Sequence, residues 1–493
     1  MKALQQLEKD FRRLVTVNRR FWTSHSRLLM AVKFLSVFAI FAAAAWYKAY
    51  DPDFGWHLQA GNIIRESGIP SYDIFTYTAS HFRWIDHEWM SDVFVSLLFG
   101  WFGYTGLVFV YAFLWTCALF IAKAYKRFTL LVIAALAMIP YAGVRATTWT
   151  VLCLSILLAL SRSRNRRLTT FIPVLMLFWA NVHGGFFIGL VVIAYYLVME
   201  RKRKWALVLA ASVLATFINP YGPRLYEEVF RTIFDSSVRW QIAEWFPASF
   251  LLFVMPFIYS LVWAIGFVLN FDKKKWKQQV FDLAPLFFLA SLSSNRHFPL
   301  FVIVSSGNIA EPLRRVKSLI PKNIDWKRRV LVLSLPALIG FFTIWELYAM
   351  AYRVTTYGNV RELSYPQKAV AYLQNNPCPG NIFNNYNYGG YLIWKLPGTL
   401  LYIDGRLPHW HDPDGVRYFD RYHRVVIDQN AANNSDFDRY GIKCVLWSND
   451  AEKPPLIQSI ERAKWRKIDE ASGANYSLWV APEMIVDKPL PKF

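Results

Sequence analysis

The sequence predicts a polytopic α-helical membrane protein with a small α/β domain at its C-terminal end. The chain of 493 residues is 55% hydrophobic, 17% aromatic and only 18% charged, a composition typical of chains that lie largely in a bilayer. Long apolar runs alternate with short basic clusters until about residue 350. Beyond that point, short apolar stretches alternate with Asn, Gly and Pro turns, which is the pattern of a water-soluble α/β domain.

The apolar runs predict about eleven membrane spans, each near the roughly 20 residues that cross a bilayer. Several of these runs are short for a span. They centre on residues 29–49, 103–122, 128–143, 147–160, 168–181, 184–199, 205–218, 250–269, 280–294, 298–310 and 330–350.

Positive charge predicts the orientation of these spans. The formal net charge is +21, and Lys and Arg concentrate in alternate loops such as "RSRNRR" from Arg162 and "RKRK" from Arg201. Basic loops stay cytoplasmic. We therefore predict an inner-membrane protein with a cytoplasmic amphipathic segment (1–28), a transmembrane domain (29–350) and a periplasmic or extracellular domain (351–493). The charge indicates topology and contact with membrane lipids, not nucleic-acid binding.

The outer loops hold most of the unusual polar residues. The first of them, residues 51–102, opens with "DPDFGWH" and later contains "DHEW". Ionisable groups at a membrane boundary are solvated rim charges unless they line a cavity, where they mark function. For the whole set, the functional interpretation is the stronger one. The candidate residues on the outer side are Asp51, Asp53, His57, His87, Glu88, Arg145, His183, Glu244, Arg296 and His297.

The C-terminal domain is predicted to contain a helix and several strands. The motifs "NYNYGGYLIW" and "YIDGR" are either turn chemistry at strand ends or a sugar-binding cluster, in which Tyr388, Asp404 and Arg406 would be ligands. Cys378 and Cys444 lie in this domain and could form a disulfide if the compartment is oxidising. The helix is placed near 366–375 and the strands near 381–384, 400–403, 443–447 and 476–480.

The order of these features resembles the GT-C superfamily of integral-membrane glycosyltransferases, which use polyprenyl-phosphate-linked sugars. In its aminoarabinose-transferase and protein-mannosyltransferase branch, an acidic residue after the first span precedes a helix and a Ser/Asn-Gly step. Here Asp53 precedes "RESG", which ends at Gly68. Loops similar to "DPDFGWHL", "HEW", "NVHGG", "NPYG" and "GGYLIW" with "DGR" recur in bacterial membrane proteins described as GT-C-like. The chain departs from that branch because "DPD" replaces a "DE" pair and the region lacks "KPP"; the "WWD" of oligosaccharyltransferases is also missing.

The resemblance implies an inverting glycosyltransferase that moves a sugar from a polyprenyl-phosphate carrier to a lipid, glycan or protein acceptor at the outer face. It makes Asp53 the general base, with Asp51 and Glu88 as helpers. No fixed metal-ligand spacing occurs, so no cofactor is assigned, although Asp51 and Asp53 leave a weakly held Mg²⁺ or Mn²⁺ open. The leaving phosphate would be stabilised by Arg145, Arg296, His297 and His183.

Two other classes of protein remain open. A transporter or flippase of a lipid-linked sugar would also have many spans, but carriers commonly show inverted repeats and charged residues inside the spans. A non-catalytic assembly protein of the envelope glycan would explain the outer domain but needs no acidic cluster beside the first span. The sequence does not identify the sugar, the acceptor, the length of the carrier lipid or the oligomeric state.

Overall fold

The fold consists of a helical domain followed by a small domain with a mixed sheet. A computed structural model describes residues 26–124, 128–235, 240–307, 362, 364–449 and 453–482. The predicted eleventh span (330–350) and nearly all of the predicted amphipathic segment (1–28) lie outside the described residues.

Helices account for most of the described chain up to residue 307, and each of the first ten predicted apolar runs coincides with one of them. In chain order they are α1 (Ser26–Trp46), α2 (Phe54–Ser67), α3 (Trp89–Ile121), α4 (Phe128–Met138), α5 (Thr147–Ser161), α6 (Ile172–Val182), α7 (Phe186–Glu200), α8 (Arg203–Thr216), α9 (Arg224–Phe234), α10 (Val254–Leu269), α11 (Trp276–Val280), α12 (Leu283–Ser293) and α13 (Phe298–Ser306).

Within the described ranges, α1 and α3 are long and apolar enough to cross a membrane, and α10 with α11 makes a third such segment if the bent pair is one span. Their length and composition support a membrane location. Other apolar helices have 10–17 residues, which is short for a complete crossing. A count of about eleven spans therefore stays a prediction, as do the inner-membrane placement and the side on which the C-terminal domain lies.

The C-terminal domain has a four-stranded sheet in the order β1-β2-β4-β3. The pair β1–β2 is parallel, and β4 runs antiparallel to both of its neighbours. The predicted helix and three of the four predicted strands are present. The stretch 400–403 instead forms isolated parallel bridges, through Leu401 to Ile382 and to Thr76 of the first outer loop. The elements are α14 (Gln367–Asn375), β1 (Asn381–Asn384), α15 (Gly389–Lys395), α16 (Tyr418–Ile427), α17 (Ser435–Arg439), β2 (Ile442–Ser448), α18 (Pro455–Arg462), β3 (Arg466–Lys467) and β4 (Tyr476–Val480).

The first outer loop shares a hydrophobic core with the C-terminal domain. Trp56 and Ala60 of α2, together with Phe75 and Trp84 from the rest of the loop, belong to the same buried cluster as the strands of the sheet. The bridge between Thr76 and Leu401 extends this contact through the backbone. Burial of large aromatic side chains contributes strongly to stability, so the loop and the C-terminal domain share one core.

Cys378 and Cys444, whose pairing the sequence left open, form a disulfide across 66 residues of chain. A loop of this length predicts a stabilisation of about 4 kcal/mol from chain entropy alone. We expect Cys378→Ser to lower the free energy of unfolding of the C-terminal domain by about this amount, measured by denaturant titration of the full chain in detergent. Cys117→Ser, at a free thiol in α3, is the control. Two free thiols in unreduced peptides at 378 and 444 would contradict the assignment.

Candidate active site

The first outer loop places two carboxylates side by side at the start of α2. The Asp53 amide donates to Asp51 Oδ1 at 3.1 Å, and the Trp56 indole Nε1–H donates to Asp53 Oδ1 at 3.0 Å. Asp53 Oδ2 has no hydrogen-bond partner among the described residues, and the side chain keeps partial contact with solvent. Of the two carboxylate oxygens of Asp53, Oδ2 is therefore the one that is left to accept a proton.

Glycines bring the C-terminal domain into direct contact with this loop. A Cβ at Gly405 would lie 1.8 Å from Asp53 Oδ1, and one at Gly390 would lie 2.1 Å from the carbonyl oxygen of Pro52. A Cβ at Gly55 would lie 1.8 Å from the carbonyl oxygen of Gly390. No side chain fits at Gly390 or Gly55, where two backbones approach each other closely. At Gly405 a side chain would meet the Asp53 carboxylate.

Arg145 and Arg296 are connected to the loop by alternating charges, which we call the charge ladder (Asp51, Arg145, Glu244 and Arg296). Arg145 Nε donates to Asp51 Oδ2, and Arg145 Nη1 lies 2.7 Å from Glu244 Oε1. Arg296 Nε lies 3.6 Å from Glu244 Oε2, and the Arg296 guanidinium lies 4.8 Å from the centre of the Trp245 ring. Four candidates from separate segments of the sequence thus form one continuous row.

A cavity of about 620 Å³ lies beside the charge ladder, between the helical domain and the C-terminal domain. Its volume falls within the roughly 300 to 1,000 Å³ that is common for small-molecule sites. The helical domain and the first loop contribute its charged side chains, Lys48, Asp51 and Arg145. The C-terminal domain contributes only uncharged side chains, among them Tyr365, Asn385, Asn387, Tyr388, Ser448 and Asn475.

Burial and neighbouring charges set the ionisation of these groups. Desolvation, followed by repulsion from Asp51, raises the pKa of Asp53 to about 6, near the value that suits a general base. Desolvation, followed by repulsion from Arg145, lowers the pKa of Lys48 to about 8. Attraction to Arg145 lowers the pKa of Glu244 against the effect of its burial. At pH 7 the Asp53 carboxylate and the Lys48 ammonium are therefore both mostly charged.

A second cluster surrounds Glu88, the residue before α3. His183 Nε2 lies 3.2 Å and His87 Nε2 lies 3.6 Å from Glu88 Oε1, and His57 Nε2 lies 3.5 Å from Glu88 Oε2. His57 Nδ1 is 2.6 Å from Asp92 Oδ1. Desolvation raises the pKa of Glu88 to about 8 and lowers the pKa of His87 to about 4. Glu88 and His87 are therefore mostly uncharged at pH 7.

The "NVHGG" break between α6 and α7 directs His183 into this cluster. The Gly185 amide donates to His183 Nδ1 at 2.8 Å. Because Nδ1 accepts this hydrogen bond, the neutral ring carries its proton on Nε2, the nitrogen that faces Glu88. A Cβ at Gly184 would lie 2.9 Å from His87 Cδ2, so this glycine allows the hairpin to approach the first loop.

The comparisons with known proteins identify the fold. No protein-family profile and no curated protein sequence matches this chain. Its structure is similar to the crystal structure of the apo oligosaccharyltransferase of Archaeoglobus fulgidus, which has a GT-C fold, with a TM-score of 0.52 at 12% sequence identity over 84% of this chain and 69% of that chain. This chain has the GT-C fold. Archaeal oligosaccharyltransferase AglB from the same organism, in complex with an inhibitory peptide and a dolichol-phosphate, aligns with a TM-score of 0.49 at 13% identity over the same shares of the two chains.

The GT-C fold that the resemblance implied is thus confirmed at the level of architecture. The finer assignment to the aminoarabinose-transferase and protein-mannosyltransferase branch stays a prediction. The chain lacks the "WWD" sequence, and its fold is nevertheless similar to that of an oligosaccharyltransferase.

Arg406 and Asp404 join the C-terminal domain of this GT-C fold to the first outer loop. Arg406 Nη2 lies 2.7 Å from Asp404 Oδ2 and 2.7 Å from Asp73 Oδ1, and all three side chains are buried. These contacts support a structural role, and substrate binding by Arg406 or Asp404 stays a prediction. Four aromatic rings also face the guanidinium within 6.0 Å, those of Trp56, Phe75, Trp84 and Trp410.

The remaining two candidates lie in different places. Tyr388 lines the cavity, as a substrate ligand would. His297 Nδ1 lies 3.0 Å from the carbonyl oxygen of Ala290 in α12, so this ring nitrogen contacts the helix backbone. A role for His297 in phosphate binding stays a prediction.

The acidic pair Asp51 and Asp53 does not fit a resident metal ion. Asp51 Oδ2 accepts from the Arg145 guanidinium, and one oxygen of Asp53 accepts from Trp56. Within the part of the chain that the structure describes, no group of three or more His, Cys, Asp or Glu side chains could hold a metal ion. We therefore derive no step that passes through a metal.

Sequence reasoning missed several residues of the site. Lys48 donates to the carbonyl oxygens of Pro140 and Ala142 at 2.6 and 3.2 Å, although a lone Lys at a span end looks like an interfacial anchor. Asn387 stands within the quoted motif "NYNYGG", and its position between two tyrosines was a usable signal. Asn475 is an isolated Asn in a turn, and nothing in its neighbourhood distinguishes it from a loop residue.

Proposed function

We propose that this protein is an inverting glycosyltransferase that takes a sugar from a polyprenyl-phosphate carrier and transfers it to a lipid, glycan or protein hydroxyl at the outer face of the membrane. The observation that carries the proposal is Asp53, a carboxylate with one unpartnered oxygen and a raised pKa, which directly follows two residues that line the cavity with Lys48 and Arg145, namely Asp51 and Pro52. The GT-C fold supports it as an architecture that membrane glycosyltransferases use.

In the proposed reaction, Asp53 acts as the general base. The acceptor hydroxyl gives its proton to Asp53 Oδ2 while its oxygen forms a bond to C1 of the sugar. The bond between C1 and the phosphate oxygen breaks on the opposite face, and the lipid phosphate leaves with the electron pair. Because attack and departure occur on opposite faces, the configuration at C1 is inverted. General-base assistance of this kind contributes about 10²- to 10⁴-fold in rate.

Lys48 and Arg145 would stabilise the departing phosphate. Both line the cavity next to Asp51, and charge-assisted hydrogen bonds strengthen where water is excluded. Asp51 and Glu244 contact Arg145 and orient its guanidinium. The Lys48 ammonium donates to neutral backbone carbonyls, so its positive charge is less compensated than that of Arg145. Arg296 would act through Glu244 at the far end of the charge ladder.

Asp51 would act as a positioning residue. Its Oδ1 accepts from the Asp53 amide, and its Oδ2 accepts from Arg145. One carboxylate thus aligns the base with the cationic group, and its negative charge also raises the pKa of Asp53.

The test is to incubate the purified full chain in detergent with a panel of polyprenyl-phosphate sugars and an extract of envelope lipids and glycans as acceptors. Release of the free lipid phosphate with inversion at C1 is the expected result, and the same release in EDTA is expected because the acidic pair does not fit a metal. Movement of intact lipid-linked sugar across proteoliposomes without release would favour the flippase alternative. Absence of both would contradict the proposal.

A further inference from the structure

The cavity beside the charge ladder has two walls of different chemistry. The charged side chains that line it among the described residues are Lys48, Asp51 and Arg145, and all three belong to the helical domain or the first loop. Asp51 and Arg145 compensate each other through a direct hydrogen bond. The net charge of that wall therefore comes from Lys48, and an anionic group of a ligand is expected to lie beside it.

The opposite wall comes from the C-terminal domain and offers neutral hydrogen-bonding groups. Asn385 is occupied internally, because its Oδ1 accepts from the Asn387 amide and its Nδ2 donates to Ser448 Oγ. Asn387 and Asn475 are exposed and line the cavity, and their side-chain amides have no hydrogen-bond partner within the described ranges, so both are open to a ligand. Each can donate and accept at once, which matches the hydroxyl groups of a sugar ring.

We propose that Asn387 and Asn475 form a sugar subsite for an uncharged sugar whose phosphate lies at Lys48. This inference rests on the proposed function and names the substrate class of the same site. The two asparagines reach the cavity from different parts of the C-terminal domain, Asn387 from the turn before α15 and Asn475 from the turn before β4. A ligand that contacts both asparagines therefore depends on the folded C-terminal domain and not on a single loop.

The missing charge on this wall decides between sugar classes. A cationic amino sugar would require a carboxylate on the wall of the C-terminal domain, where the described lining residues are uncharged. A uronic acid would require a second cation on the wall of the C-terminal domain, where the described lining residues are uncharged. A charged group that loses water against a neutral wall gains no ion pair in return. The site therefore favours a hexose or an N-acetylated sugar over an aminoarabinose.

The experiment measures binding apart from catalysis. The full chain in detergent is titrated calorimetrically with farnesyl phosphate alone and with farnesyl phosphate carrying glucose, 4-amino-4-deoxyarabinose or glucuronic acid. We expect the glucose compound to bind more tightly than the other three. The double variant Asn387→Ala with Asn475→Ala is expected to weaken binding of the glucose compound roughly tenfold, the effect of losing two side chains with ordinary hydrogen bonds.

Two variants test the two walls of the cavity independently. In the double variant, the affinity for farnesyl phosphate alone is expected to be unchanged, whereas Lys48→Met is expected to weaken binding of farnesyl phosphate with or without glucose. Asn433→Ala, at an exposed Asn outside the residues that line the cavity, is the matched control and should bind as the wild type does. Thermal unfolding of each variant confirms that it is folded.

Other outcomes would overturn the inference. Tighter binding of the amino sugar or the uronic acid than of glucose would show that the wall does not select an uncharged sugar. Equal glucose binding by the double variant and the wild type would remove the asparagines from the subsite, and the proposed function would still stand if lipid phosphate is released in the transfer assay. Failure of every farnesyl compound to bind would overturn the inference and the proposed function together.

Discussion

Replacing Asp53 by Asn is expected to lower the rate of sugar transfer by about 10²- to 10⁴-fold, the usual contribution of a general base. Asn keeps the shape and the hydrogen bond from Trp56 Nε1, but its amide cannot take the proton of the acceptor hydroxyl. Donor binding should change little, because the phosphate contacts proposed for Lys48 and Arg145 remain. The measurement is release of lipid phosphate at saturating donor, together with the affinity for the donor.

The pH profile gives a second signature of Asp53. The carboxylate acts as a base only when ionised, so wild-type activity is expected to rise with pH through the pKa of about 6. Lys48 stabilises the phosphate only when protonated, so activity is expected to fall as pH passes its pKa of about 8. The residual activity of Asp53→Asn should lose the acidic limb and keep the basic one.

Loss of folding is not expected to explain the effect of Asp53→Asn. The pKa of Asp53 is raised on folding from about 3.8 to about 6, so the folded protein binds this proton more tightly, and the stability that this gives is lost as pH rises through about 6. Asn carries no such charge, and the variant should be at least as stable as the wild type at pH 7.5. Asp414→Asn, at an exposed Asp, is the control. Normal transfer by a folded Asp53→Asn would remove the base assignment.

Arg406→Ala is expected to lower the free energy of unfolding by about 3–5 kcal/mol, the usual cost of removing one partner from a buried ion pair. Asp404 and Asp73 would both be left buried without their counter-charge. Because Asp73 belongs to the first loop and Asp404 to the C-terminal domain, the contact between the loop and this domain, which carries the proposed sugar subsite, should loosen. Unfolding is followed by intrinsic tryptophan fluorescence of the full chain in detergent.

Two further variants test this reasoning. Arg424→Ala, at an exposed Arg of α16, should change the free energy of unfolding by less than about 0.5 kcal/mol. Arg406→Met combined with Asp404→Asn and Asp73→Asn removes all three charges and should recover part of the stability lost in Arg406→Ala. If Arg406→Ala unfolds at the same denaturant concentration as Arg424→Ala, the buried pairing does not support the interface.

The site could be predicted in part because its residue types are unusual for their surroundings. Carboxylates and histidines are rare in a chain with this apolar content, so Asp53, Glu88 and His183 were recognisable wherever they stood. Lys48 and Asn475 could not be recognised, since a Lys at a span end and an Asn in a turn are ordinary. Their role depends on a cavity whose walls are far apart in sequence.

The strand predicted over 400–403 shows the same limit in the fold. Its residues form a short apolar run, "LLYI", between turn residues, as a buried strand would. Leu401 bridges to both Ile382 and Thr76, and Thr76 belongs to a loop more than 300 residues earlier in the chain. The local sequence pattern carries no information about a pairing partner so far away in the chain. The glycines of "GGYLIW" were likewise interpretable as turns, although the nearby Pro52 carbonyl oxygen is what requires Gly390 to lack a side chain.

By itself, the sequence determined the helical segments, three of the four predicted strands and the acidic character of the first outer loop, because periodicity, hydropathy and composition are local properties. Only the tertiary structure decided which of those residues meet. In that structure, Asp51, Arg145, Glu244 and Arg296 form the charge ladder, and Arg406 contacts Asp73. The physical reason is that a charge is stable away from water only beside an opposite charge. Which opposite charge lies close is set by the packing of segments that are distant along the chain.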